Sequence, residues 1–277
     1  MKVNHLFLFL FIFVQSCQSI KIKENKEPSN RVQKLIGNIK EIRVSTISNP
    51  SPTNTSSKNE GITTIFYDRT GRIIKHDDKY NDKFTDYTIF EYDHSLVTKS
   101  TTTSNSGSRE LMITHKYDKK HNEIEYIAYW DKLLDLKRVM KYDTKGNVIE
   151  KQYFDASSKL HRLEKFDIDY KKQKVTVYEF DKEGKASNYD FTFEFDKHGN
   201  RTKSELINVA KKYHSCTIDE YDKKGNFLKS YSCNPDDNGK SFLVYNYIFD
   251  SVGNIIKQEE IINNVLSKTT IIDIIYW

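Results

Sequence analysis

Side chains able to do acid–base, nucleophilic or metal chemistry are plentiful in this 277-residue chain, but their spacing assembles no catalytic set. Beyond the N-terminal leader the histidines are His76, His94, His115, His121, His161, His198 and His214. No two stand at the HExxH spacing that sets two imidazoles on one helix face around a metal. His94, His121 and His198 fall in or beside turns, where a solvated loop residue is the ordinary expectation. Asn234-Pro-Asp-Asp-Asn-Gly239 offers oxygen donors, but a calcium loop also needs regularly spaced donors and a bidentate Glu at its end, and a hairpin turn accounts for these residues. No Ser-His-Asp or Cys-His set and no Gly-rich phosphate loop is present. The expectation is a protein with no catalytic, metal or cofactor site, and not an enzyme.

The cysteines allow other chemistry. Cys216 and Cys233 flank the turn that follows Tyr221. A two-residue hairpin at Lys224-Gly225 sets them opposite each other as a non-hydrogen-bonded pair, with Cα atoms roughly 4.5 Å apart, within disulfide range. A type I turn closed by a Gly bulge over Asp222-Lys-Lys-Gly225 slips the register by one and puts them on opposite faces. Disulfide and free thiols both remain open on these grounds.

What must position all of these residues is a repeat. An aromatic residue followed by Asp recurs at Tyr67, Tyr92, Tyr117, Tyr142, Phe195, Tyr221 and Phe249, with Tyr170 in the same series although Lys171 replaces its Asp. The steps are 25, 25, 25, 28, 25, 26 and 28 residues, the signature of tandem supersecondary units. Each pair opens a turn such as Asp143-Thr-Lys-Gly-Asn147, in which the carboxylate caps the turn and the Gly accepts positive φ. The flanks alternate with a period of two. Counting back from the aromatic residue, Phe195, Phe193 and Phe191, or Tyr170, Ile168 and Phe166, share an apolar face, while Asp196, Glu194 and Thr192 share a solvated one. Two strands per unit predict an all-β antiparallel meander of about 18 strands. The first is expected near 38–47 and the last near 266–277, with Asp131–Arg138 the one stretch of weak helical spacing. So many strands with one apolar face cannot stay flat. The sheet is expected to curl into a spiral, a sandwich or an incomplete barrel, with exposed terminal strands and a mobile loop over Ser48–Gly61.

The N-terminus resembles a bacterial lipoprotein signal. Lys2 and His5 precede the nine apolar residues Leu6–Val14, too short to span a membrane, and Ser16 precedes Cys17. The resemblance implies a signal peptide over 1–16, a lipid on Cys17, a polar tether over 17–36 and one domain over 37–277. With Gln18 rather than Asp after the Cys, it implies retention at the outer membrane. Formal charge is +5, or +4 once Lys2 is removed, and it is dispersed. That excludes the basic block that nucleic acid demands. Replacing Cys17 by Ser is expected to move the protein from the membrane to the soluble envelope fraction; a wild-type protein already soluble there would refute the lipid anchor.

The tandem Tyr-Asp-x-x-Gly-Asn signature over Asn38–Trp277 resembles the YD-repeat proteins related to Rhs shells. That resemblance implies a β-meander and, weakly, surface or carbohydrate binding. Nothing here matches the toxin domain of the large members. The expected function is a non-enzymatic outer-membrane lipoprotein offering its sheet to a protein or glycan; the alternative is a small-ligand carrier with an apolar pocket inside the curled sheet. Tyr126, Trp130, Tyr153 and Tyr231, off the aromatic series, are the expected outward platforms for a glycan. A membrane-spanning barrel is disfavoured by Asp273 near the end and by Lys and Glu on nearly every polar face.

Overall fold

The computed structural model describes residues 35–277 apart from 49–58, 81–83, 105–108, 209, 211–212 and 235–241. The leader, Cys17, most of the tether, most of the Ser48–Gly61 loop and most of the Asn234–Gly239 segment therefore lie outside the described residues. The strands are β1 (Ile39–Ser48), β2 (Asn59–Tyr67), β3 (Ile73–Tyr80), β4 (Phe84–Asp93), β5 (Leu96–Ser104), β6 (Glu110–Tyr117), β7 (Glu123–Trp130), β8 (Leu133–Tyr142) and β9 (Val148–Phe154). They continue as β10 (Leu160–Asp169), β11 (Lys174–Asp181), β12 (Ala186–Phe195), β13 (Arg201–Asn208), β14 (Tyr213–Tyr221), β15 (Phe227–Ser232), β16 (Phe242–Phe249), β17 (Ile255–Ile262) and β18 (Val265–Tyr276).

Every strand pairs antiparallel with its sequence neighbour, and β18 pairs with β1 from Ile39↔Tyr276 to Ser48↔Lys268. The meander thus closes into an 18-stranded up-and-down barrel. Of the expected forms the barrel is the one adopted, closed rather than incomplete; the spiral and the sandwich are corrected, and with them the exposed terminal strands. Twist and stagger accumulated over eighteen strands bring the first and last into register, and closure satisfies two ladders that an open sheet would leave unpaired. The one stretch of weak helical spacing, Asp131–Arg138, forms no helix. Asp131 and Lys132 both take positive φ, 48° and 70°, and form a two-residue hairpin between β7 and β8 rather than a helical turn.

An up-and-down barrel places alternate turns on opposite rims. All eight aromatic residues of the repeat therefore stand beside turns of one rim, called here the turn rim; the loop rim lies opposite. The turn geometry repeats closely. In Asp143–Asn147 the Asp143 Oδ1 accepts the N–H groups of Lys145 (2.8 Å) and Asn147 (2.9 Å), and Gly146 donates to Asp143 O at 3.1 Å. His121 and Ser158 stand where other turns have Gly and still adopt φ of 64° and 59°, so His121 has a turn role. Burial opposes ionisation of Asp118, but the Asn122 side chain and the Asn122 and Lys120 backbone N–H groups outweigh it and hold the carboxyl below the usual range.

Each turn of this rim except the one after β10 is followed by a register irregularity, as between Lys116 and Tyr117, where one extra residue enters the second strand. The bulge leaves a ladder carbonyl free, and a tyrosine from the next hairpin fills it. Tyr92 Oη donates to Ile73 O (2.7 Å), Tyr117 to Val97 O (2.9 Å), Tyr142 to Glu123 O (2.6 Å) and Tyr221 to Arg201 O (2.7 Å). Next to Phe249, which has no hydroxyl, Tyr247 does the same for Phe227 O at 2.6 Å. The repeat residue is thus usually tyrosine for its hydroxyl as well as its ring.

The closing seam is a ninth copy of this turn, split between distant parts of the chain. Gly37 has φ of 103° and Trp277 N–H donates to Asn38 O at 2.9 Å, the bond that Asp250 N–H makes to Asn254 O in the preceding turn. Tyr276 pairs with Ile39 before a bulge, as Tyr221 pairs with Phe227. Asn254, with 0% exposure, locks the seam: Ile36 N–H donates to its Oδ1 (2.7 Å), and its Nδ2 donates to Ile36 O (3.0 Å) and Tyr276 Oη (2.7 Å). Leu35 packs on the cluster of Ile39, Ile42, Ile65, Tyr67 and Ile73. Leu35 and Ile36, given to the tether by composition, therefore dock on the barrel.

Candidate functional site in the barrel interior

Cross-strand pairing assigns every residue to one of two faces. The repeat face carries Ile42, Ile65, Tyr67, Ile73, Ile113, Val175, Val177, Phe195, Phe227 and Tyr245, nearly all of the buried set, and is the inside. Of the repeat residues only Tyr67 and Phe195 are fully buried; Tyr92, Tyr117, Tyr142, Tyr221 and Phe249 are half-buried. Tyr170 is exposed, its hydroxyl on Asp143 Oδ2, because β10 ends before it and the ring leans over the rim against Lys145.

The inner face is not uniformly apolar, which corrects the expected division into an aromatic and a solvated side. Directly opposed pairs give the row His115, Tyr126, Arg138, Tyr153, Arg162 across β6 to β10. Strand stagger carries it from near the turn rim at His115 toward the loop rim at Arg162. Arg138 Cζ lies 4.8 Å from the Tyr126 ring centroid and Arg162 Cζ 4.1 Å from that of Tyr153. Three carboxylates complete the strip. Glu123 takes His115 Nδ1 and, at 3.0 Å, Arg138 Nη2; Glu164 accepts Tyr153 Oη at 3.0 Å and pairs with Arg162 at 3.2 Å; Glu179 lies 3.7 Å from Arg162. Burial, reinforced by Glu164, pushes the Tyr153 phenol up to about 12, and burial also raises Tyr126. Both are neutral donors at physiological pH. Arg138 Nε is buried and makes no hydrogen bond among the described residues. Arg162 and Glu179 keep 38% and 31% of their side-chain surface, so this end of the strip is reachable.

Sequence reasoning named Tyr126, Trp130 and Tyr153 but set them outside; all three are inside, and only Tyr231 faces out. A bulge after a turn adds one residue and reverses the parity counted across it. The two arginines carried no sequence signal, because the row is built from five strands.

The outer face is charged. Glu125 on β7 pairs with Lys116 of β6 at 2.6 Å and Lys137 of β8 at 2.7 Å, and Lys141 meets Glu150 at 2.8 Å. Cys216 and Cys233 lie on this face as a disulfide, with Cα atoms 5.0 Å apart and Cys233 N–H donating to Cys216 O at 2.9 Å. The turn here is the Gly-bulge type, with Tyr221↔Phe227, but the second bulge restores the lost residue by Glu220↔Lys229 and brings the sulfurs together in a hydrogen-bonded pair. No described helix is long and apolar enough to cross a membrane.

No family model matches the chain, and no curated protein matches it. Among solved structures, a porin-like protein from Bacteroides uniformis aligns at 11% identity over 86% of this chain and 96% of its own, with a TM-score of 0.48. A structure of TcdB2-TccC3 aligns at 14% identity over 76% of this chain, with a TM-score of 0.34, and the match spans 16% of that chain. At these identities neither likeness assigns an activity.

Proposed function

We propose that this is a non-enzymatic YD-repeat lipoprotein of the cell envelope, tethered through Cys17, whose barrel binds a small polyhydroxylated ligand such as a saccharide along the inner His115–Arg162 strip. The observation that carries the reading is the strip itself. A barrel needing only stability gains most from apolar side chains inside, whereas this one places two guanidinium groups, three carboxylates and two tyrosines in one contiguous row. Arg and carboxylate groups suit the paired hydroxyls of a sugar, tyrosine rings suit its apolar faces, and Arg138 Nε is a buried donor awaiting an acceptor. The strip is thus polar, unlike the apolar pocket expected of a carrier. The outer face is the weaker binding candidate: charges interrupt its exposed apolar residues, Lys257 between Ile248 and Ile271 and Asp273 between Ile271 and Ile275. The same outer charge pairs favour an aqueous surround, since a charge facing lipid costs about 2–4 kcal/mol at the midplane.

Trp130 opposes Leu111 inside the barrel and reports on the interior once Trp277 is replaced by Phe. Saccharide titration of that protein is expected to give a saturable fluorescence change. Arg162→Ala should weaken it about tenfold, equivalent to roughly 1.4 kcal/mol, with an unchanged melting temperature. A flat response to neutral and acidic saccharides alike sinks the reading.

A further inference from the structure

We propose that the Cys216–Cys233 pair is one state of a redox-gated metal site: when the disulfide is reduced, the two thiolates, His214 and Glu205 bind a divalent ion of zinc type. Glu205 on β13 is directly opposite Cys216 on β14, His214 is two residues from Cys216 on the same outer face, and Cys233, the residue after β15, is bonded to Cys216 from the other side. The ligand atoms of Glu205, His214 and Cys216 all lie within 4.8 Å of one another, with His214 Nε2 3.5 Å from Glu205 Oε1. Tetrahedral zinc with S and N donors needs ligand atoms roughly 3.3–3.8 Å apart, a small side-chain adjustment from these positions. Two sulfurs, one imidazole and one carboxylate fill four positions, so the site is closed. Three anionic ligands around a dication leave one negative charge, and Lys203, with Nζ 3.1 Å from Glu205 Oε1, offsets it. Asn234 Nδ2 donates to His214 O at 2.9 Å and holds the β14 backbone beside the chain that carries Cys233.

This cluster was invisible to spacing because its donors come from β13, β14 and the residue after β15; only the strand pairing unites them. A disulfide alone has no need of the imidazole and carboxylate beside it. The switch balances with a thiol or phosphine reductant. The reductant supplies two electrons, the S–S bond breaks, and two protons complete the thiols; zinc then displaces both thiol protons and forms two Zn–S bonds. Disulfide and metal are mutually exclusive occupants of the same two sulfurs.

The test uses the Cys17→Ser protein, which removes the third cysteine, with Zn²⁺ alone competed against a chromophoric chelator and with Co²⁺ as an optical probe. After phosphine reduction, one ion per chain and the visible bands of tetrahedral cobalt with thiolate charge transfer are expected. The oxidised protein should bind about 100-fold more weakly or not at all, and His214→Ala and Glu205→Gln should each cost the reduced form about tenfold or more. Equal affinity in the two redox states, or indifference to both substitutions, overturns the proposal and leaves a disulfide beside a surface ion pair. If reduction unfolds the chain, stoichiometric Zn²⁺ must restore its strand circular dichroism, and failure to do so overturns it equally. Oxidised His214→Ala should melt as the parent does, which separates ligand loss from misfolding.

Discussion

Phe227→Ala is expected to lower stability by about 3–5 kcal/mol, the usual cost of deleting a fully enclosed phenyl ring. Phe227 is 2% exposed, and its ring meets Tyr221 edge-on at 5.6 Å and Tyr245 edge-on at 5.4 Å. Its backbone carbonyl is also the one that Tyr247 caps, so collapse into the void is resisted by a hydrogen bond anchored on the same residue. For a barrel of this size each kcal/mol moves the melting temperature by about 2–4 °C, so a fall of roughly 10 °C is expected by calorimetry. Glu194→Gln on the outer face should change stability by less than about 0.5 kcal/mol. Comparable losses at the two positions would mean that the assignment of inner and outer faces is wrong.

The second large effect belongs to the seam. Asn254→Ala removes the amide that accepts from Ile36 N–H and donates to Ile36 O and Tyr276 Oη, taking away the partners that tie the segment before β1 to the end of β18. A cost of about 3 kcal/mol is expected. At Asn226 the amide donates within its own turn, to Asp222 Oδ2 at 2.7 Å, and Asn226→Ala should cost about 1 kcal/mol. Urea midpoints of the two variants measure the difference. Equal midpoints would show that Asn254 is a turn residue like the others, with no special part in closure.

The strand count, the antiparallel meander and most strand limits were legible because the turns advertise themselves. Asp143, Gly146 and Asn147 are each required by local backbone geometry, and local requirements survive in one sequence. Closure was not legible in the same way, since it depends on twist and stagger summed over all the strands. Its trace was present nonetheless. Ile36-Gly37-Asn38 repeats the Gly-Asn end of the turns at Asn147, Asn200, Asn226 and Asn254, and Tyr276 falls one unit after Phe249. The domain limit expected at residue 37 cut through that split turn. The interior strip was hidden for another reason. Arg138 and Arg162 look like any solvated arginine until the bulges are counted, and each bulge is set by the pairing of two strands rather than by the residues of one.

The split turn also orders the folding of the chain. Every other strand pairing joins sequence neighbours, through hairpins that form on the microsecond scale and can zip along the meander in any order. The β1–β18 pairing alone requires segments far apart in the chain to meet, from 220 residues at Ser48↔Lys268 to 237 at Ile39↔Tyr276. Most of the loop entropy of that encounter has already been spent once the intervening hairpins are ordered, so the seam forms last and cheaply on a nearly complete wall. Until it forms, the protein is a curled sheet with two long unpaired edges, each a template for the edge of another copy. The Asn254 amide, by hastening and holding closure, therefore guards the nascent barrel against strand exchange between molecules as much as it stabilises the finished one.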